Sequence, residues 1–194
     1  MATKNIVPQA DGEGSIGTAA KKWGDGRFTT LSATGLITAT GGQIAFPATA
    51  VPSADPNTLD DYEEGTFGDS GANEILVPAV GTITCDTAYT CQYTKIGRQV
   101  TVVGYAIPSA VAGQSGTTYI ILPFLVGDST SLYAQGSVML NKVDFTADYV
   151  TIQAAKGGVE GRLTEVRDDA TIAYLDAAGI SAGDTVSFGL TYFI

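Results

Sequence analysis

Three pairs of adjacent carboxylates and one spaced pair of thiols are the groups in this chain whose types suit chemistry. The carboxylates are Asp60 and Asp61, Glu63 and Glu64, and Asp168 and Asp169; the thiols are Cys85 and Cys91, within CDTAYTC. There is no histidine. Its absence removes the commonest general base and every nucleophile–histidine arrangement. Zinc sites take four ligands, or three and a water, and two thiols without an imidazole do not supply them. No metal or cofactor is therefore expected. Carboxylate pairs remain compatible with glycoside hydrolysis, where an acid and a second carboxylate flank the scissile bond. All three pairs stand in glycine-, proline- or turn-rich sequence, where charges are usually solvated, so no catalytic role is expected of them. On one continuous strand the cysteines lie about 20 Å apart, too far to bridge. A turn at Asp86 to Ala88 would bring them together. Both a disulfide and two thiols packed as small apolar groups stay open, with the thiols preferred. Neither a phosphate-cradling glycine loop nor a dinucleotide fingerprint is present.

The elements that must position these groups are strands. QVTVVGYAI, TTYIILPF, GSVML, DYVTIQAA, ATIAYL and DTVSFGLTYFI are rich in β-branched and aromatic residues, and AGQSG, VGDSTS, KGG, DAAG and SAGD separate them. Short strands at such spacing, without helical alternation, predict an antiparallel β-sandwich. VEGRLTEVRDDA (Val159 to Ala170) is the one later helix candidate, and Gly161 and its β-branched neighbours weaken it. From RLTEVRDDATIAYL onward the spacing allows either one strand or a hairpin. In YTKIG, Gly97 is expected at the left-handed position of a tight hairpin, between a strand ending at Tyr93 and one starting near Gln99. Ile96 is then expected to face inward.

Composition narrows the partners. Of 194 residues, 44% are hydrophobic but only 15% charged, against about 25% in ordinary domains. The net charge of −10 repels phosphate backbones and anionic lipid surfaces, so neither nucleic acid nor membrane insertion is expected. No window is apolar for long enough to span a bilayer, and MATKNIVPQADGEG lacks the apolar centre of a signal peptide. Assembly in a cytoplasm is the expectation. Residues 29 to 58 hold one charge and no bulky cluster, and pieces such as LSATGLITAT alternate apolar with small polar residues. A single chain of this kind cannot bury its apolar face; copies of itself are the simplest neighbours. AFPATAVPSADPNT (Ala45 to Thr58) predicts an extended linker.

GSIGTAAKKWGDGRFTTLSATG, with Gly14, Ile16, Gly17, Lys22, Trp23, Asp25 and Phe28 in place, resembles a recurring element of bacteriophage tail fibres and tailspikes. LDDYEEGTF (Leu59 to Phe67), QYTKIGRQVTVVGYAI (Gln92 to Ile107) and ILPF (Ile121 to Phe124) resemble, in that order, the tip domains of such fibres. The resemblance implies an all-β homotrimer with two parts. Residues 1–58 form a short extended segment for virion attachment, with a trimeric shaft and proline-rich linker. Residues 59–194 form an antiparallel, jelly-roll-like β-sandwich tip. Ile16, Lys22, Trp23 and Phe28 form a clasp between chains, in which lysine stems cover a shared indole. The resemblance also implies a virion tail protein assembled in the host bacterial cytoplasm. Its N-terminus docks on a baseplate or tail protein, and its tip recognises a host-surface glycan or outer-membrane protein. A purely structural virion component (baseplate, collar or head decoration) is the alternative, and a polysaccharide-degrading spike a third class.

Loops of an antiparallel domain alternate between its two ends. If the strand around Glu74 to Thr84 runs outward, the turn at Asp86 is distal and that at Lys95–Gly97 proximal. Ala110 to Gly116 is then distal, Gly127 to Leu132 proximal, and Asn141 to Asp148 distal. The distal set supplies the candidate receptor-binding residues Gln114, Asp144, Phe145 and Asp148. An exposed aromatic beside carboxylates suits a sugar, whose ring face stacks while its hydroxyls donate hydrogen bonds.

Overall fold

In β4, Gln99–Ala106, the sequence QVTVVGYA turns Val100, Val102 and Ala106 into the core while Gln99, Thr101, Val103 and Tyr105 stay exposed. The same period-two pattern runs through β10, Thr185–Phe193, which buries Val186, Phe188, Leu190 and Tyr192. Between these two strands, Gly104 is obligatory. A Cβ there would lie 2.3 Å from Phe188 Cζ and 2.4 Å from the Cys91 sulfur, so the ring and the thiol occupy the side-chain space that glycine leaves.

The computed structural model describes residues 20–21, 26–38, 42, 44–49, 51, 53, 55, 58–68, 75–128, 134–168 and 170–194. Two units divide the chain, Met1–Ile44 and Ala45–Ile194. Among the described residues no strand or helix precedes β1, Tyr62–Phe67. The other strands are β2, Leu76–Cys85; β3, Cys91–Ile96; β5, Pro108–Ile121; β6, Gln135–Asn141; β7, Tyr149–Ala154; β8, Glu160–Val166; and β9, Ala173–Tyr174. All pairings are antiparallel, and one continuous sheet runs β1-β3-β4-β10-β6-β7-β8-β5-β2, with β9 on β8. The all-β antiparallel expectation holds, its two faces being made by one curled sheet. The inner face gathers residues from strands far apart along that order, such as Ile83 of β2, Val102 of β4 and Leu163 of β8, into one core.

Three local expectations are corrected. AVAGQSG is not a loop: it lies within the fourteen-residue β5. Gly113 and Gly116 have φ of 60° and 74°, opposite Gly81 at 82°, and register shifts in the β2–β5 ladder lie around them. The glycines are bulges that bend a long ribbon, not a chain reversal. Val159 to Ala170 holds strand β8 rather than a helix, and it forms a hairpin with the two-residue β9, Thr164 opposite Tyr174. In YTKIG, Gly97 does take positive φ, 56°, in a two-residue turn, but β3 runs on to Ile96, which is 49% exposed. Lys95 faces inward instead, because the buried Asp61 carboxylate accepts a hydrogen bond from its ammonium group.

That ion pair sits in a cluster uniting the three tip motifs. Glu63 accepts from the Tyr93 hydroxyl; Tyr93 packs edge-on against Phe124 at 5.0 Å, and Lys95 lies 5.6 Å from the same ring. The buried Tyr192 hydroxyl donates to the Phe124 carbonyl and accepts from its N–H, both at 3.2 Å. LDDYEEGTF, YTKIG and ILPF thus lock the start of the sheet to its last strand. Cys85 and Cys91 are thiols rather than a disulfide, and burial pushes the Cys91 thiol up to about 11.

Candidate functional site

The β6–β7 loop and the β8–β9 hairpin meet beside a single 3-10 turn, Ala177–Gly179, and leave between them an open cleft of about 410 Å³. Backbone contacts fix the cleft. The Asp144 N–H donates to the Gly179 carbonyl at 2.9 Å, and a Cβ on Gly179 would lie 2.0 Å from the Asp144 carbonyl oxygen. Only glycine admits the loop this closely. Asp176 caps the 3-10 turn by accepting from Ala178 N at 3.0 Å, and it accepts from Gly116 N at 2.9 Å, tying the turn to the bulged β5.

Asp144 and Phe145 line this cleft, together with Thr146, Glu165, Arg167, Tyr174 and Asp176. Phe145 is exposed rather than folded into the core, and Tyr174 is likewise exposed. Arg167 donates to Glu165 at 3.1 Å and to the Thr146 hydroxyl, which holds its guanidinium at the cleft wall. Arg162 lies 5.5 Å from the Tyr174 ring and donates to its hydroxyl at 3.3 Å, which fixes the ring. The arrangement offers two aromatic faces, carboxylate acceptors and a guanidinium donor within one open depression. Such a surface suits a polyhydroxylated ligand.

The other two sequence candidates lie outside the cleft lining. Gln114 is half-buried on β5, its amide donating to the Ile180 carbonyl at 2.9 Å just beyond the 3-10 turn. It supports the cleft from behind instead of presenting a side chain at a distal loop, because the segment carrying it is a strand. Asp148 shares the β6–β7 loop with Asp144 but accepts from Asp168 N at 2.8 Å, pinning the loop to the end of β8. Arg167 and Tyr174 were missed, and the signal that locates them is the hairpin alternative for RLTEVRDDATIAYL. Of the clasp residues, Ile16, Lys22 and Trp23 lie outside the described residues; Phe28 is 67% exposed.

Among the described residues no group of three cysteine, aspartate or glutamate side chains is placed to hold a metal ion. No helix among them is long and apolar enough to cross a membrane. No protein-family model matches the sequence, and no curated protein matches it. Among solved structures, the crystal structure of the Dettilon tailspike protein is similar to this chain, with a TM-score of 0.57 at 15% identity. The similarity covers 68% of this chain and 24% of that one, so this chain spans about a quarter of the tailspike's length. At that identity the likeness is one of fold: the chain carries a tailspike-like all-β fold.

Proposed function

We propose that this chain is the subunit of a homotrimeric bacteriophage tail fibre or tailspike, whose β domain binds a glycan or outer-membrane protein of the host surface. Residues 1–58 are the attachment and shaft segment, docking on a baseplate or tail protein, and residues 59–194 are the tip. The observation that carries this proposal is the tailspike-like fold of the domain. A segment with Phe28, Leu31, Leu36, Ile37, Ile44 and Val51 all exposed on a single chain supports the trimer, since three copies side by side can bury what one cannot. Trp23 then packs across the three-fold axis. Phe145 and Tyr174 stack on sugar rings while Asp144 accepts from hydroxyl groups and Arg167 donates to ring or acyl oxygens.

Binding of the purified protein to an array of bacterial surface glycans tests the tip. The wild-type chain is expected to bind a defined subset, and Asp144→Ala with Phe145→Ala is expected to lose that binding while its native mass is unchanged. Binding that survives the double change would move the receptor surface elsewhere on the domain. Absence of binding to glycans and to outer-membrane proteins would favour the structural virion role. Release of reducing sugar ends would instead make the protein a polysaccharide-degrading spike.

A further inference from the structure

The outer face of β1, β3, β4, β10 and β6 is almost free of charge. The ladder registers align its outward side chains in rows across the sheet. Tyr62, Ile96, Gln99 and Phe193 form one row; Glu64, Thr94, Thr101 and Thr191 form the next. Thr66, Gln92, Val103, Gly189 and Ser137 follow, and Tyr105, Ser187 and Met139 close the face, with Tyr89 edge-on to Tyr105 at 5.2 Å. Glu64, on the edge strand, is the one charged side chain in these rows, and it accepts from the Tyr62 hydroxyl. Apolar groups nevertheless stand exposed there: Val103 at 52% and Met139 at 63%. Gly189 leaves the middle of the face low, and an open groove of about 510 Å³ runs over Glu64 at the edge and over Thr66, Gln92, Thr94, Thr101 and Val103.

We propose that this face is a contact between copies of the chain, packing around the axis of the trimer. It rests on the proposed trimer for the number of copies, but its location follows from charge. Every copy carries −10, so copies approach one another most easily where that charge is absent. A basic partner would be drawn to the acidic remainder of the surface and not to this face. Edge-to-edge pairing through β1 is disfavoured by the adjacent Glu63 and Glu64, which would repel their counterparts in a second copy. Five strands about 4.8 Å apart, seven residues long, present at most about 500 Å². That exceeds an incidental contact but falls short of the roughly 800 Å² per partner of a stable complex. The face therefore supplements the contacts of the shaft segment, and damage to it weakens assembly by degrees.

The experiment uses the full chain. Val103→Glu with Met139→Glu is expected to shift the trimer–monomer midpoint to at least tenfold higher protein concentration, with the β circular dichroism unchanged because both sites are exposed. Separately, Val103→Cys is expected to give covalent dimers of subunits on mild oxidation, while Val159→Cys, exposed outside this face, and the wild type give none. A trimeric wild type, with a glutamate variant that assembles equally well and no cross-link through Val103→Cys, overturns the interface and leaves the trimer standing. A wild type of single-chain mass overturns both.

Discussion

Leu36, in the segment before the sheet, is 93% exposed, while Leu163 in β8 is fully buried. Removing either side chain from water is worth roughly 1.5–3 kcal/mol, but only Leu163 gains it within its own chain. The contrast extends to the neighbours of each. Around Leu163, seven strands bury residues in one core; around Leu36, the described apolar residues Phe28, Leu31, Ile37 and Ile44 are all more than half exposed. The difference is one of sequence design. β-branched residues at period two give a sheet that one chain completes, whereas glycine, threonine and alanine between isolated large residues give a strip that one chain leaves exposed.

Substitutions at the two leucines should separate these regimes. Leu163→Ala is expected to lower the stability of the domain by about 2–5 kcal/mol at any protein concentration, measured by denaturant unfolding. Leu36→Ala should leave that transition alone and shift only the concentration dependence of assembly. If Leu36→Ala assembled like the wild type, the contrast between the regions would collapse. The next largest effect is expected at the motif cluster. Asp61→Asn strands the Lys95 ammonium in a buried site, and a loss of about 3 kcal/mol is expected in the same assay.

High pH should sharpen the comparison further. Burial raises the Tyr192 hydroxyl from 10.0 to about 12 and the Cys91 thiol from 9.0 to about 11. Tyr93 also rises to about 12, first through its hydrogen bond to Glu63. In each case the folded state keeps a proton that the unfolded chain releases, so stability falls as pH rises. The loss should start near pH 9 through Cys91 and continue to about pH 12 through the tyrosines. Thermal melts of Tyr192→Phe and Cys91→Ala should show a shallower alkaline decline than the wild type. The smallest expected effect is at Ile172, 62% exposed and outside the proposed contact face, whose change to threonine should stay within about 0.5 kcal/mol.

Strands whose burial follows a strict alternation were legible in the sequence. β4, β6, β7 and β10 lie where their Val, Ile, Tyr and Phe patterns put them. What failed depended on partners distant in the chain. Ile96 is more apolar than Lys95, yet Lys95 goes inward because Asp61, thirty-four residues earlier, receives its charge. Gly113 and Gly116 suggested a turn because glycine with positive φ serves bulges and turns alike, and only the β2 ladder distinguishes them. The cleft was half legible. Counting loop ends found Asp144 and Phe145, whereas Arg167 and Tyr174 required knowing that β8 turns back on itself through a two-residue β9.

In the proposed trimer, the exposed apolar strip before the sheet is the inside of the assembly. The native mass of the full chain in solution, followed across protein concentration, tests it most directly. Three times the 19.9 kDa chain mass is expected, with Trp23→Ala shifting the equilibrium toward smaller species. A mass of one chain, unchanged at high concentration, would contradict it.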